Sequence, residues 1–124
     1  NGGVQLDLMG QENAESTGTR QLSGVGGQMD FLEGAYRSKG GKGFICINSS
    51  RVTKNGERKS NILATIPGGS TISAPRTMIQ YVATEYGIAS LSGKTLRERA
   101  EAMASIAHPD FREELMKYAQ ENFK

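Results

Sequence analysis

The chain has 124 residues, a formal net charge of +2 and 36% hydrophobic residues. This length suits one small domain with a single core. The nearly balanced charge provides no strong field for nucleic acid or an acidic membrane surface, and no apolar run reaches the ~18 residues that a membrane span needs. We therefore expect a globular domain that binds neither nucleic acid nor a membrane.

The start of the chain and its single cysteine indicate what kind of protein it comes from. The first residue is Asn1, no leader pattern follows it, and an alternating apolar pattern begins almost at once. We therefore expect a fragment of a longer protein. Cys46 is the only cysteine, which excludes an internal disulfide and is typical of a reducing compartment. Its apolar neighbours predict a core position.

The N-terminal third predicts a strand, a polar loop and a helix. Apolar residues alternate over 4–8, which predicts a short strand. Residues 10–27 are rich in Gly, Ser, Thr, Asn and Gln and are predicted to form a loop, in which Glu12 and Glu15 are expected to be solvated. Apolar residues on one face predict a helix over 28–38.

The middle of the chain is dominated by strand signals. The apolar run 43–48 predicts one strand. Asn55-Gly56 predicts a type I′ hairpin turn, with 51–53 and 61–66 as its arms. Residues 78–86 are β-branched and aromatic enough for a further strand, and Glu85 within it is expected to make a structural hydrogen bond.

Residues 92–124 change to a helical period. Thr95 and Glu98 form a capping-box pattern at the start of one helix. Asp110 is predicted to cap a second helix, and Pro109 separates the two. His108 has no second His or Cys at ligand spacing, so we expect no metal site. Strands that alternate with helices predict an α/β or α+β class.

Three glycine-rich stretches resemble phosphate-binding loops to different degrees. The stretch 87–95 has one residue too many between its glycines for the pattern GxxxxGK[ST], and Thr95 is better explained as a cap. The stretch 23–27 precedes a helix and suits an anion or a thioester carbonyl, although ordinary turns also use such glycines. The stretch 38–42 carries two lysines that suit phosphates or complement a helix dipole.

Several ordered stretches together resemble the C-terminal domain of the acetyl-CoA hydrolase/transferase family. That family includes CoA-transferases for 4-hydroxybutyrate, butyryl-CoA with acetate, and succinyl-CoA with acetate. The stretches are 1–13 (NGGVQLDLMGQEN), 23–31 (SGVGGQMDF), 34–42 (GAYRSKGGK), 74–77 (APRT), 81–89 (YVATEYGIA), 91–100 (LSGKTLRERA) and 106–112 (IAHPDFR).

The resemblance implies a class I CoA-transferase fold, an open α/β sheet with flanking helices, and places residues 1–124 in its C-terminal domain. It also implies ping-pong chemistry, in which a glutamate attacks the acyl-CoA and becomes a glutamyl-CoA thioester that a carboxylate acceptor resolves. No glutamate of this chain lies in that motif, so no catalytic residue is assigned here, and we expect the isolated chain to be inactive. The expected partners are acyl-CoA, a small carboxylate, the N-terminal domain and further copies of the protein.

The resemblance also implies which residues contact CoA, which is a substrate and not a permanently bound cofactor. The assigned residues are Asn1, Gly3, Gly24, Gly26, Gly27, Lys39 and Lys42.

Two stretches depart from the family pattern, and two alternatives to a transferase stay open. Residues 74–81 (APRTMIQY) lack a histidine that many members carry, and 53–60 (TKNGERKS) is more charged than usual. An acyl-CoA hydrolase, in which water replaces the acceptor, fits the same motifs. A non-catalytic module for a phosphate ligand is the alternative from another class. We expect a cytoplasmic location, or a mitochondrial one in a eukaryote.

Overall fold

A computed structural model describes all residues, 1–124. Short strands form four small open sheets accompanied by three α-helices. The predicted α/β class is confirmed. In chain order the elements are β1 (Gln5–Asp7), β2 (Glu12–Asn13), β3 (Ser16–Thr17), β4 (Arg20–Gln21), α1 (Gln28–Arg37), β5 (Phe44–Cys46), β6 (Ser50–Val52), β7 (Arg58–Ser60), β8 (Ile62–Leu63), a 3-10 helix (Arg76–Met78), β9 (Tyr81–Thr84), β10 (Gly87–Ser90), α2 (Leu96–Ser105) and α3 (Pro109–Asn122).

Two three-stranded sheets hold the core, with strand orders β2-β1-β8 and β10-β9-β5. Each contains one parallel pair, β1 with β8 and β5 with β9. Leu6 lies opposite Ile62 and Ile45 lies opposite Val82, and all four side chains are fully buried. Apolar strand centres therefore pair inside the protein, as parallel strands usually do.

The two C-terminal helices begin where the sequence predicts, but one cap differs. The Thr95 hydroxyl accepts from the Glu98 amide at 3.2 Å, and the Glu98 carboxylate accepts from the Thr95 amide at 2.8 Å, which confirms the capping box. In α3 the cap is His108, whose Nδ1 accepts from the Asp110 amide at 3.2 Å. Asp110 was the wrong choice, because Pro109 suits the first helical position, which moves the cap two residues earlier, to His108.

The hairpin predicted at Asn55-Gly56 exists with different arms. β6 pairs with β7, and only Gly56 has a positive φ, so the turn is not type I′. The loop is longer and is closed by a hydrogen bond from the Thr53 amide to the Glu57 carbonyl at 2.8 Å. The predicted second arm, 61–66, instead contains β8, which joins β1, because burying Ile62 in the core outweighs local pairing.

Other boundaries also differ from the prediction. The stretch 78–86 starts in the 3-10 helix, continues as β9 and ends in a turn at Glu85 and Tyr86 that leads into β10. The polar loop 10–27 contains the short strands β2, β3 and β4. These strands hold two or three residues each, too few to produce a readable period.

Three predicted burial states are wrong. Cys46 is exposed, because Ile45 occupies the inward face of β5 and neighbouring strand residues point to opposite sides. Glu12 and Glu15, expected to be solvated, are 0% and 8% exposed. The Glu15 carboxylate accepts hydrogen bonds from Gln21 Nε2 at 2.8 Å and Ser73 Oγ at 2.6 Å, which compensates its burial. No helix is both long and apolar enough to cross a membrane.

Candidate functional site

An open cleft of about 500 Å³ lies where the parallel strands β5 and β9 end. The carboxyl ends of parallel strands meet at one edge of a sheet, and in open α/β sheets ligands bind outside that edge. This general rule makes the cleft the first candidate for a binding site. It is lined by Gly3, Cys46, Ile47, Asn48, Ala83, Thr84 and Glu85.

Glu85 is the one acidic side chain that lines the cleft. Its Oε1 accepts a hydrogen bond from the Ser49 amide at 2.7 Å, which confirms the predicted structural hydrogen bond. Partial desolvation favours the neutral acid, but hydrogen bonding from Ser49 outweighs it and holds the pKa of Glu85 below its usual value. The cleft therefore contains a fixed negative charge that also orders the turn after β5.

The Asn1–Gly3 segment runs beside β5 towards this cleft. The Asn1 α-amino group donates to the Phe44 carbonyl at 2.8 Å, and the Cys46 amide donates to the Asn1 carbonyl at 2.7 Å. Gly2 pairs with Cys46 in a parallel bridge, and Gly3 lines the cleft. Of the predicted contact residues, Gly3 therefore belongs to the cleft wall, and Asn1 lies beside β5 without lining the cleft.

The glycine-rich loop 24–27 offers free backbone donors. Gly24, Gly26 and Gly27 are exposed, and none of the four loop amides donates a hydrogen bond to another group of the chain. Gly26 has φ +64°, a backbone conformation that favours glycine. Because α1 follows directly and has no side-chain cap, its positive dipole end adds to the loop donors, an arrangement that suits an anion or a polarised carbonyl oxygen.

Lys39 and Lys42 lie at the opposite end of α1 from this loop. The helix has ten residues, which separates its ends by ~15 Å. Both lysines are exposed, and neither makes an ion pair or a hydrogen bond within the chain. The structure therefore does not bring all predicted contact residues together. The loop and the two lysines are too far apart for a single phosphate group to contact both.

One buried carboxyl connects the two glycine-containing segments. Glu12 is fully buried, its Oε2 accepts a hydrogen bond from Gln28 Nε2, and its Oε1 has no partner. A Cβ at Gly3 would lie 2.6 Å from Oε1, so a larger residue there would force the Glu12 side chain to move. Burial raises the pKa of Glu12 to about 7, against the opposing effects of the Gln28 hydrogen bond and the Asn1 amino group. Sequence reasoning missed Glu12 because nothing local distinguishes it from a solvated loop glutamate.

The comparison with known sequences points to one family. The family model of the acetyl-CoA hydrolase/transferase C-terminal domain matches residues 1–119. The chain is 48% identical to butyryl-CoA:acetate CoA-transferase from Anaerostipes caccae and 50% identical to 4-hydroxybutyrate coenzyme A transferase from Clostridium kluyveri, each over 120 residues. Each match covers 97% of this chain but 27% of the relative, so the chain spans about a quarter of these relatives' length. Acetyl-CoA hydrolase from Kluyveromyces lactis is 31% identical over 117 residues, covering 93% of this chain and 21% of the relative.

Solved structures agree with this grouping. RipA from Yersinia pestis is 40% identical, with a TM-score of 0.83 over 98% of this chain and 26% of its own. A 4-hydroxybutyrate CoA-transferase from Porphyromonas gingivalis is also 40% identical, with a TM-score of 0.74 over 99% of this chain and 26% of its own. The fold is therefore that of CoA-transferase domains, as the sequence motifs implied. With a family model that matches nearly its whole length, the chain belongs to the acetyl-CoA hydrolase/transferase family.

Proposed function

We propose that the whole protein is a CoA-transferase that moves CoA between an acyl-CoA and a small carboxylate, with residues 1–124 as its C-terminal domain. The observation that carries this proposal is the 48% and 50% identity to relatives named as CoA-transferases. The relative named acetyl-CoA hydrolase is more distant, at 31% identity. This difference favours a carboxylate acceptor over water.

In the proposed reaction a glutamate from the remainder of the protein attacks the thioester carbonyl of the acyl-CoA. The resulting acyl-glutamyl anhydride reacts with the released CoA thiolate to form a glutamyl-CoA thioester and the first carboxylate. The acceptor carboxylate then attacks this thioester, and the same steps in reverse produce the new acyl-CoA and restore the glutamate. Each carbonyl addition places negative charge on an oxygen.

The loop 24–27 is proposed to stabilise that oxygen. Its amides are unpaired and exposed, and preorganised backbone donors act at the point where charge develops. Asn1 and Gly3 are proposed to form the adjoining wall of the CoA site. In this arrangement the glutamate comes from the remainder of the protein and faces the loop and the cleft of this domain.

Three exposed apolar side chains in and next to the loop in the sequence support contact with the N-terminal part of the protein. Leu22, Val25 and Phe31 are 54%, 48% and 70% exposed. Apolar side chains grouped in this way typically lie at interfaces. We propose that the N-terminal domain covers these side chains and that the complete protein forms a homo-oligomer. A cytoplasmic location, or a mitochondrial one in a eukaryote, is consistent with the free thiol of Cys46.

Product analysis of the whole protein tests the proposed function. We expect incubation with butyryl-CoA and acetate to yield acetyl-CoA and butyrate in equal amounts, with no net release of CoA. Chromatography of the acyl-CoA species measures both products. A hydrolase would release free CoA whether or not acetate is present, and a binding module would change nothing; either result contradicts the proposal.

Lys39 and Lys42 are proposed to contact phosphates of CoA. Both ammonium groups are exposed and unpaired, and CoA carries a pyrophosphate and a 3′-phosphate that accept charge-assisted hydrogen bonds. We expect Lys39→Ala or Lys42→Ala in the whole protein to raise the Kd for CoA about tenfold. Calorimetric titration with CoA measures the change.

Two comparisons make the lysine experiment specific. Lys117→Ala on α3 removes an equally exposed lysine that no motif assigns to CoA and should leave the Kd unchanged. Dephospho-CoA, which lacks the 3′-phosphate, identifies which phosphate each lysine contacts. If both variants bind CoA and dephospho-CoA as the unchanged protein does, the lysines only complement the dipole of α1, and the melting temperature will report that role.

A further inference from the structure

Glu12 is the only glutamate of the chain that is fully buried, and its surroundings do not compensate its charge. One carboxyl oxygen accepts from Gln28 and the other has no hydrogen-bond partner. A buried carboxylate usually has several donors, because an unpaired buried charge is costly. Glu15, in the same segment, has two donors and shows the ordinary arrangement. The stability of the loop therefore does not explain why a glutamate occupies this buried position.

The position of Glu12 links two parts of the proposed CoA site. Gln28 is the first residue of α1 and directly follows the loop 24–27. Gly3 belongs to the cleft wall, and its backbone approaches Glu12 so closely that a Cβ would collide with Oε1. On its own strand, Glu12 lies opposite Leu6 and is bridged to Ala74. The Glu12 carboxyl thus contacts both Gln28, next to the loop, and Gly3, in the cleft wall.

We propose that Glu12 is a positioning residue, which fixes Gln28 and Gly3 relative to each other and so places the loop 24–27 relative to the cleft. This placement depends on whether the Glu12 carboxyl is protonated. This inference rests on the proposed function, because that function makes the loop the oxyanion donor. The neutral carboxyl fits the buried position between Gln28 and Gly3. The charged form draws water towards the unpartnered oxygen and loosens the contact.

The proton of Glu12 is exchanged in the physiological range. Burial raises its pKa to about 7, which means that desolvation outweighs the favourable hydrogen bond from Gln28. The α-amino group of Asn1 is the charged group that acts on it, while Gln28, Gly3, Leu6 and Ala74 contribute no titratable side chain. Where other residues precede Asn1, a neutral amide replaces this amino group, and the pKa of Glu12 rises further.

The sign of the effect follows from this shift. The native state retains a proton that the unfolded chain releases near the ordinary carboxyl pKa of 4.5, so the free energy of unfolding falls as the pH rises from about 4.5 to about 7. Stability contributed by the neutral carboxyl is present below this window and lost above it. We expect kcat of the whole protein to fall from about pH 7 upward, as Glu12 loses its proton and the loop loosens.

Glu12→Gln distinguishes the effect of protonation from the effect of side-chain size and shape. Glutamine accepts the Gln28 hydrogen bond with similar volume but carries no charge. In the whole protein we expect this variant to keep the kcat that the unchanged protein shows at pH 6 and to lack the decline from about pH 7 upward. Glu12→Ala removes the contact itself and should lower kcat about tenfold or more with a smaller change in KM, since a displaced donor loop weakens transition-state binding.

Glu15→Gln is the matched control, because it removes a buried carboxylate of the same segment that accepts hydrogen bonds from Gln21 and Ser73 and from neither Gln28 nor Gly3. A second measurement does not depend on activity. In ¹⁵N-glycine-labelled whole protein the amide signals of Gly24, Gly26 and Gly27 should shift with a midpoint at or above pH 7. This titration should vanish in Glu12→Gln but persist in Glu15→Gln.

The outcomes distinguish this inference from the proposed function. If the unchanged protein transfers no CoA but the glycine signals titrate as described, the function is wrong and the positioning role stands. If Glu12→Gln leaves both the kcat profile and the glycine titration unaltered, or if Glu15→Gln abolishes them equally, the inference is overturned. Should Glu12→Ala fail to fold, the Glu12→Gln measurements alone decide.

Discussion

Replacing Gly26 by valine in the whole protein is expected to lower kcat by ~10²–10³, the usual effect of losing one preorganised oxyanion donor. Gly26 has φ +64°, a conformation that β-branched residues rarely adopt. No atom lies within 4 Å of the position a Cβ would take, so the valine meets backbone strain and not a clash. We expect the loop to leave its conformation while the core is unaffected. Steady-state kinetics together with a melting curve measure the two effects separately.

Two further variants make the Gly26 result interpretable. Gly18 has φ +56° and equally open surroundings, but it lies in the β3–β4 turn. Gly18→Val therefore imposes the same kind of strain away from the loop and should leave kcat near its original value. Asparagine tolerates positive φ, so Gly26→Asn should retain more activity than Gly26→Val. A folded Gly26→Val protein with unchanged kcat would remove this loop from the active site.

The isolated 124-residue chain is expected to show no transfer of CoA from butyryl-CoA to acetate above background. The attacking glutamate of the proposed mechanism has no counterpart in the motifs of this chain. Among the carboxyls described above, Glu12 is fully buried and Glu85 is engaged by the Ser49 amide. Oxyanion donors without a nucleophile cannot form the glutamyl-CoA intermediate. Chromatography of the acyl-CoA products, with circular dichroism to verify folding, measures this result.

The whole protein, assayed at the same concentration, is the positive control for the isolated chain. Mass spectrometry of the chain after incubation with acyl-CoA also detects any covalent CoA adduct. Transfer above background would contradict the prediction, as would a CoA adduct that peptide mapping places on a glutamate and not on the exposed thiol of Cys46. Glu85→Gln would then be the first variant to test, because Glu85 lines the cleft.

Local signals predicted the helices well and the strands less well. The start of α2 was predictable because Thr95 and Glu98 satisfy free amides within one turn. The cap of α3 was placed wrongly, since two potential caps flank Pro109 and only geometry selects His108. The arms of the β6–β7 hairpin were misjudged because Ile62 has a stronger partner in β1 than in β6. Helix ends depend on neighbouring residues, whereas strand pairing depends on distant ones.

The sequence by itself determined the family, the α/β class and the glycine-rich loop 24–27, because each is carried by short stretches of consecutive residues or by their order along the chain. Only the tertiary structure decided that Glu12 is buried against Gly3 and Gln28 and that Glu85 borders a cleft. The reason is physical: burial and a raised pKa arise from desolvation by segments that are remote in sequence. A glutamate in a polar stretch looks solvated until the rest of the chain encloses it.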